Sequence, residues 1–520
     1  MGHKLKQFSE YIKKHTRAVF FIVVVFLLLL LTVRGDTGQP LAYQFDKSTA
    51  VGGPFESSNS TARYALTEAI VERRSLSLTD EEARFASPDI VFYHNHFYSI
   101  FMPGISFIGV PFYMLGKLFN VPQVSTYLSM IFFAACNMFL LYVIGRRLGL
   151  STYAAILGGF TFLFATDALP YAQSYTQHHV TTTLLLLAIL NAIGKRTVKK
   201  NILFGFIIGA AMLIDIPNIV LLVPVGLYIL AQHLTRKATP NGFVVSFQLI
   251  IVGIIFGLLP FIAIFGWYNK TTTGSYVKTG QTLGRVTYED IKINPPKAIN
   301  GKVSGEDHNS VFPFQSRLLY QGMYILLVSD ERSWIYYSPI VLVGLLGFYY
   351  LYKNRITLGF VNMLAAIIGS NILLYSMFGD PWGGWSFGPR YIIPSAAVLC
   401  ITLAVAINAY GKKLLFSLLF LVLLVYSIFV STVGAITTSA IPPKGEADSL
   451  ANPLPHTYVY NIQLLQDNKL NSLIYNVFLR QEIPGTVYAL IIFAALIIIS
   501  LVLYARLINQ MKKEAQTYAY

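Results

Sequence analysis

Between residues 379 and 391 the chain reads Gly-Asp-Pro-Trp-Gly-Gly-Trp-Ser-Phe-Gly-Pro-Arg-Tyr. So much glycine and proline rules out a helix, and two tryptophans in so short a stretch are unusual for a solvated linker. Arg390 stands where this turn enters an apolar run, at the depth where lipid phosphates lie. A planar, permanently charged guanidinium is the side chain best suited to grip a phosphate. The competing assignment makes Arg390 a headgroup anchor and Trp382 and Trp385 interfacial belt residues. The belt is the commoner role for the tryptophans. The Gly/Pro frame around Arg390 favours phosphate binding for the arginine. Asp380, Trp382 and Trp385 are the turn's other polar or aromatic side chains of note.

A second constellation lies upstream. Residues 61–74 predict a helix in which Tyr64, Ala65, Ala69 and Val71 leave Arg63, Glu68 and Glu72 for a wetter side. Residues 37–54 and 75–87 read as irregular. Asp89 follows Pro88, and after it come His94, His96 and the aromatic pair Phe97-Tyr98. A carboxylate held here could take a proton from an acceptor hydroxyl. The segment carries nine acids, so any single one is more often a solvated charge; Glu81 and Glu82 read that way. Further on, His178 and His179 are adjacent and lack the His-x-x-x-His spacing that puts two ligands on one helix face. His178 is read as a cap or a sugar contact, and no metal site is indicated. Asp215, before Pro217, is flanked by apolar runs on both sides. An ionisable residue so placed is a functional candidate, against the bland reading that it caps the next helix.

The elements that must carry these residues are membrane spans. Twelve apolar runs of about 14–24 residues meet the requirement of about 20 for a crossing. They cover residues 18–33, 124–144, 152–166, 180–193, 202–216, 218–231, 244–266, 334–352, 356–378, 391–410, 414–433 and 486–507. Alternate gaps are short and basic: Arg146/Arg147, Lys195/Arg196/Lys199/Lys200, Arg236/Lys237, Lys353/Arg355 and Lys412/Lys413. With the two tails they hold 20 of the 39 Lys and Arg residues but only two acids, Glu10 and Glu514. Positive charge concentrates on the cytoplasmic side. Both termini are therefore expected inside, and the polar loops 34–123, 167–178, 267–333, 379–390 and 437–484 outside. Residues 97–119 are apolar enough to cross, but a crossing there would invert every later loop. Pro103, Gly104, Gly109, Pro111 and Gly116 also weaken a continuous helix. The segment reads as one or two interfacial helices within the first outer loop.

At 55% hydrophobic and 12% charged residues the composition is that of a polytopic membrane protein. The net charge of +15 is orientation signal beside anionic lipid, not a nucleic-acid footprint. Cys136 and Cys400 fall within spans, so no disulfide framework is indicated. Residues 18–33 lack a cleavage site and read as an uncleaved anchor. Asn59 and Asn269 open glycosylation sequons on the outer side.

Taken in order, several of these segments resemble the GT-C superfamily of membrane glycosyltransferases, the relatives of protein O-mannosyltransferases and of the lipid A aminoarabinose transferase. The segments are Thr61-Ala62-Arg63-Tyr64 through Glu72, Asp89 through Phe97-Tyr98-Ser99 to Pro103-Gly104 and Pro111, and Gly145-Arg146-Arg147-Leu148-Gly149. Asp215-Ile216-Pro217, Ser338-Pro339 and Phe387-Gly388-Pro389-Arg390-Tyr391 complete the series. No one motif is decisive; order and spacing are. The resemblance covers residues 18–410 as a transmembrane core after a cytoplasmic tail at 1–17. Residues 411–520 form a further membrane segment and a cytoplasmic tail.

The resemblance implies an all-α multi-pass protein of the plasma membrane, with its active face extracytoplasmic. It implies transfer of a hexose or pentose, with inversion, from a polyprenyl-phosphate donor to a glycan, lipid or protein acceptor. No cofactor is implied; a divalent metal is compatible with the family but not indicated here. A first-loop carboxylate would act as base, with Asp89 first and Glu68 and Asp36 behind it. Arg390, Arg63, Tyr98 and His178 would serve the donor phosphate, and Asp215, Trp382, Trp385 and Asp380 the sugar or acceptor. The chain departs from the pattern at Ser57-Ser58-Asn59-Ser60-Thr61, where relatives carry an acid, and at Ile100-Phe101-Met102, where they often carry Asp-Lys-Ala. The alternatives are a flippase for a lipid-linked saccharide, which the uncharged spans disfavour, and a non-catalytic scaffold of envelope assembly.

Overall fold

The computed structural model describes residues 23–35, 51–239, 242–293, 314–355 and 358–517. Within them the chain is a helical bundle capped at one end by loops with their own small elements. Six helices are long and apolar enough to cross a membrane: Pro122–Arg147, Leu249–Thr273, Leu358–Ser376, Arg390–Tyr410, Leu414–Ile436 and Gly485–Lys513. Other predicted runs fall on shorter helices, among them Thr152–Phe164, His178–Ala192 and Asn218–His233.

The bundle is built around Ile393–Tyr410, buried continuously from Ile393 to Ile407 and packed between Thr152–Phe164 and Gly344–Lys353. Lipid offers no hydrophobic drive between helices, so such contacts depend on close backbone approach at small residues. The pair Val198–Ile214 and Gly253–Thr273 shows this directly. A Cβ on Gly205 would lie 1.9 Å from the Ile254 carbonyl oxygen, and one on Gly257 1.9 Å from that of Ile202.

The basic gaps meet at one end. Ser151 N–H donates to Asn408 Oδ1 (2.9 Å), just past Arg146/Arg147, and Lys412 Nζ donates to the Met511 carbonyl of the C-terminal helix (2.8 Å). The polar loops meet at the other end of Pro122–Arg147. There the first large loop forms the helix Ser58–Arg73, the hairpin Ile90–Tyr93/His96–Ser99 and the helix Gly104–Leu118, which packs on both Ser58–Arg73 and Pro122–Arg147.

Several sequence expectations are corrected. Residues 80–86 are not irregular: Thr79 and Glu82 form a capping box that starts the helix Asp80–Ala86. Glu82 is accordingly buried and ion-paired with Arg73 rather than solvated. Residues 97–99 are a strand, so the interfacial segment is a single helix starting at Gly104. The run expected over 244–266 begins as a strand, Gly242–Phe247, and its helix continues to Thr273. The run over 334–352 is broken after Tyr337, because Pro339 has no N–H to continue the ladder. Arg63 and Glu68 are not on a wet face: they are 1% and 8% exposed, because Gly104–Leu118 covers the helix that carries them. Asn269 of the second sequon is fully buried.

Candidate active site

The 379–390 turn owes its shape to three glycines in the left-handed region, Gly383, Gly384 and Gly388 (φ 76°, 61° and 56°). It is held from behind by Arg332, which is wholly buried. Arg332 Nε donates to the Trp382 carbonyl and to Ser386 Oγ, each at 3.1 Å, and Nη2 donates to the Ile441 carbonyl at 2.8 Å. Ser386 N–H also reaches the Ile441 carbonyl (2.9 Å), so the turn is stitched to the loop that follows Leu414–Ile436. Asp167 lies beneath, packed against Gly388, where a Cβ would meet its Oδ1 at 2.6 Å. Burial pushes the Asp167 carboxyl well above its usual range, against the pull of Arg332.

Arg390 emerges from this frame at the start of its helix. Its guanidinium lies 5.1 Å from the Tyr391 ring, which stacks on Tyr375 at 4.6 Å. Among the described residues no carboxylate is within ion-pairing distance of Arg390, and its Nε has no hydrogen-bond partner. Asp380, at the head of the turn, accepts from Gly383 N–H at 3.1 Å and faces the Arg390–Tyr391 pair.

Arg63 comes from the helix Ser58–Arg73. It donates to the Asn59 carbonyl (2.9 Å) and to Asn59 Oδ1, lies 3.8 Å over the Phe101 ring, and leaves Nε without a partner. Burial draws its guanidinium down to about 10; Asp215, Asp89 and Tyr175 act in the opposite sense, while Arg390 adds to the lowering. Those neighbours define the site: buried Arg63 and half-buried Arg390 lie within range of each other's charge, with Asp215, Asp89 and Tyr175 around Arg63. His178 is also buried there, within the field of both arginines and edge-on to Tyr171 at 5.1 Å. Asp215 does not cap the following helix with its side chain. It ends Val198–Ile214 and accepts from the Gln281 side chain and the Ile216 N–H.

The structure separates the carboxylates. Asp89 is 3% exposed; Oδ2 accepts from Ser58 Oγ at 2.7 Å, and Arg285 lies 2.7 Å from Oδ1. Glu68 sits apart, with Glu72, Glu82, Arg73 and Tyr113; burial and the two glutamates raise its carboxyl to about 7. Asp36 lies outside the described residues. Tyr98 belongs to a small apolar cluster with Val91 and Ile100. The Trp382 indole N–H is buried without a partner, and the Trp385 N–H donates to Glu446 at 2.6 Å.

Sequence reasoning missed Glu56. Its side chain is 3% exposed and pairs with buried Arg34. It also accepts from Gly52 N–H (2.8 Å), Ser439 N–H (2.8 Å), Ser439 Oγ (2.6 Å) and Thr438 Oγ1. Burial works against its charge, but Arg34 and these bonds outweigh it and hold the carboxyl below its ordinary value. Glu56 and Arg390 line one pocket, together with Ser57, Tyr171, Ser174, Thr176, Trp385, Ser439 and Ala440. The missed signal was position: Glu56 directly precedes the Ser/Thr stretch where an acid was sought. Among the described residues no group of three His, Cys, Asp or Glu side chains is placed to hold a metal.

No family profile and no curated protein matches the chain. Among solved structures it is similar to ArnT from Cupriavidus metallidurans in the apo state, at 13% identity and a TM-score of 0.45, over 96% of this chain and 78% of that one. The same protein bound to undecaprenyl phosphate gives 12% and 0.46, over 95% and 78%. The archaeal oligosaccharyltransferase AglB from Archaeoglobus fulgidus, in complex with an inhibitory peptide and a dolichol-phosphate, gives 12% and 0.41, over 91% of this chain and 60% of that one.

Proposed function

We propose that this protein is a membrane glycosyltransferase that moves a sugar from a polyprenyl-phosphate donor to an envelope acceptor at the extracytoplasmic surface. The observation that carries this is the pair of guanidiniums of buried Arg63 and half-buried Arg390, each with a buried, unpartnered Nε and, among the described residues, no carboxylate in ion-pairing distance. Buried cations are costly unless paired. Two cations within range of each other's charge favour an anion beside them, and a phosphate diester supplies that charge.

Polyprenyl phosphate is already a good leaving group. The chemistry therefore asks for a clamp on the developing phosphate charge and a base for the acceptor hydroxyl, with no general acid. Asp89 is the proposed base because it keeps lone pairs free. A carboxylate offers about four acceptor sites, and Glu56 already receives five donors, whereas Asp89 receives Ser58 and the mobile end of Arg285. Glu56 shapes the pocket and holds its charge. His178 and Asp215, at the two arginines, are proposed to orient the donor sugar.

The test compares envelope glycans by mass spectrometry from a deletion strain complemented with wild type, Arg390→Ala or Asp89→Asn. Loss of one glycan modification in the deletion strain, restored by wild type and by neither variant, is the expected result. Full restoration by both variants at normal expression would leave only the scaffold role. Sidedness is checked separately by cysteine labelling, with position 60 expected to react from outside and position 147 from inside.

A further inference from the structure

Resting on the donor reading above, we infer that the Thr176 hydroxyl is a ligand of the donor phosphate. It receives a single non-bridging phosphate oxygen in a water-sized niche beside Arg390.

The niche is the pocket that Glu56 and Arg390 share. It has room for about one water molecule. That is too little for a sugar or a whole phosphate group, but it matches one phosphate oxygen. Tyr171, Ser174, Thr176 and Ser439 form a buried floor, whereas Trp385 and Arg390 at the rim are half-buried. A phosphate seated at the rim can therefore dip one oxygen inward and keep its ester bonds to lipid and sugar outside.

The floor supplies a donor that the protein itself leaves unused. Thr176 is 2% exposed, and its Oγ1 is buried without a hydrogen-bond partner. Buried hydroxyls are nearly always bonded, so an orphan on the wall of a pocket marks a place for a ligand or a water. Tyr171 OH accepts from Phe387 N–H at 3.1 Å, which leaves its own proton to give. Ser439 is committed to Glu56 and Arg34. At the rim, Arg390 adds a permanent charge and a buried Nε with no partner. Two residues beyond Thr176 the helix His178–Ala192 begins, and Gln177 makes no side-chain cap bond there. The unmatched N–H groups and positive end of a helix favour an anion nearby. Glu56 is an acid of the same lining, but its charge is met by Arg34.

The experiment titrates tritiated undecaprenyl phosphate into the purified full chain in phosphatidylcholine nanodiscs. Two variants divide the side chain: Thr176→Val keeps the methyl group and loses the hydroxyl, and Thr176→Ser does the reverse. Binding should weaken about tenfold in the Val variant and stay within about threefold of wild type in the Ser variant. A role in packing alone predicts the opposite order. Excess inorganic phosphate or phosphatidylglycerol should not displace the tracer, which separates the donor from free phosphate and from an ordinary headgroup. Displacement by either as readily as by unlabelled undecaprenyl phosphate overturns the assignment to the donor. Wild-type binding in the Val variant, or an equal loss in both variants, overturns the role of the hydroxyl. With binding still lost in Arg390→Ala, either result leaves the donor reading standing. If undecaprenyl phosphate does not bind the wild type, the donor reading falls and takes the inference with it.

Discussion

Arg332 and Arg390 lie at the same end of the molecule and share one short turn, which Arg332 holds and from which Arg390 emerges, yet they are treated in opposite ways. Arg332 is sealed and directs its donors at protein oxygens, the carbonyls of Trp382 and Ile441 and the hydroxyl of Ser386 among them. Arg390 opens on a pocket with a nitrogen left unpaired. The same contrast separates Arg34, which pairs with Glu56 and donates to Ser439 although its Nε is unpartnered, from Arg63, which has no carboxylate in ion-pairing distance among the described residues. Guanidinium groups paired with a carboxylate, or with protein oxygens from several segments, hold loops together. Those without such partners are available to a ligand. Burial alone would not have told the two kinds apart; the partners do.

The sharpest way to break this comparison is to remove a holding arginine. Arg34→Met leaves the Glu56 carboxylate buried without its counter-charge. Truncating one side of a buried ion pair costs about 3–5 kcal/mol, so the variant should unfold at markedly lower temperature or denaturant in detergent, and activity should fall with folded yield. Unchanged thermal stability would mean that Arg34 does not hold the loops. The double variant Arg34→Met/Glu56→Gln should recover part of the loss, since no bare charge then remains.

Replacing a ligand-facing arginine should do the reverse. Arg390→Lys keeps the charge and loses the planar fork. Transfer should fall by about tenfold or more, equivalent to roughly 1.4 kcal/mol of transition-state stabilisation, with thermal stability and membrane insertion unchanged. Wild-type turnover in this variant would make Arg390 a headgroup anchor and end the contrast with Arg332.

How much of this could be read from sequence follows the same division. The helices were legible because long apolar runs without charge have few other fates, and the basic turns between them mark one end of the bundle. Arg390 was legible because Gly383, Gly384, Gly388 and Pro389 forbid a helix around it and so single it out. Glu56 was not. It follows Gly-Gly-Pro-Phe with no periodic context, and its partner Thr438 is 382 residues away. Arg332 sits in Asp-Glu-Arg-Ser, which looks like a solvated charge run, and the carbonyl it reaches at Ile441 is 109 residues on. The helix over 80–86 was legible in principle, since Thr79-x-x-Glu82 is a capping-box signature, but two turns gave too little apolar periodicity to draw attention. Arg63 was placed on the wet side because a single helix reveals its faces but not which neighbour will cover them.

The smallest expected effect tests the region that the comparison leaves out, the acidic side of Ser58–Arg73. Glu68 is buried beside Glu72 and Glu82, and its carboxyl is raised to about 7 against an ordinary value of 4.5. The folded state therefore binds this proton more tightly than the unfolded state does. A raised acid contributes its stability in full below the unfolded value and loses it as pH rises through the folded one, so the window is about pH 4.5 to 7. The loss is local, because Arg63 and Arg390 are not among the charges that act on Glu68. Hydrogen exchange across the helix should thus quicken by a few-fold between pH 6 and pH 8 beyond the intrinsic chemical change. Glu68→Gln, neutral throughout, should abolish that excess while leaving transfer at pH 7 near wild type, as Asp89 and not Glu68 is the proposed base. A Gln variant that loses transfer while the helix stays protected would reverse the assignment and move the base to Glu68.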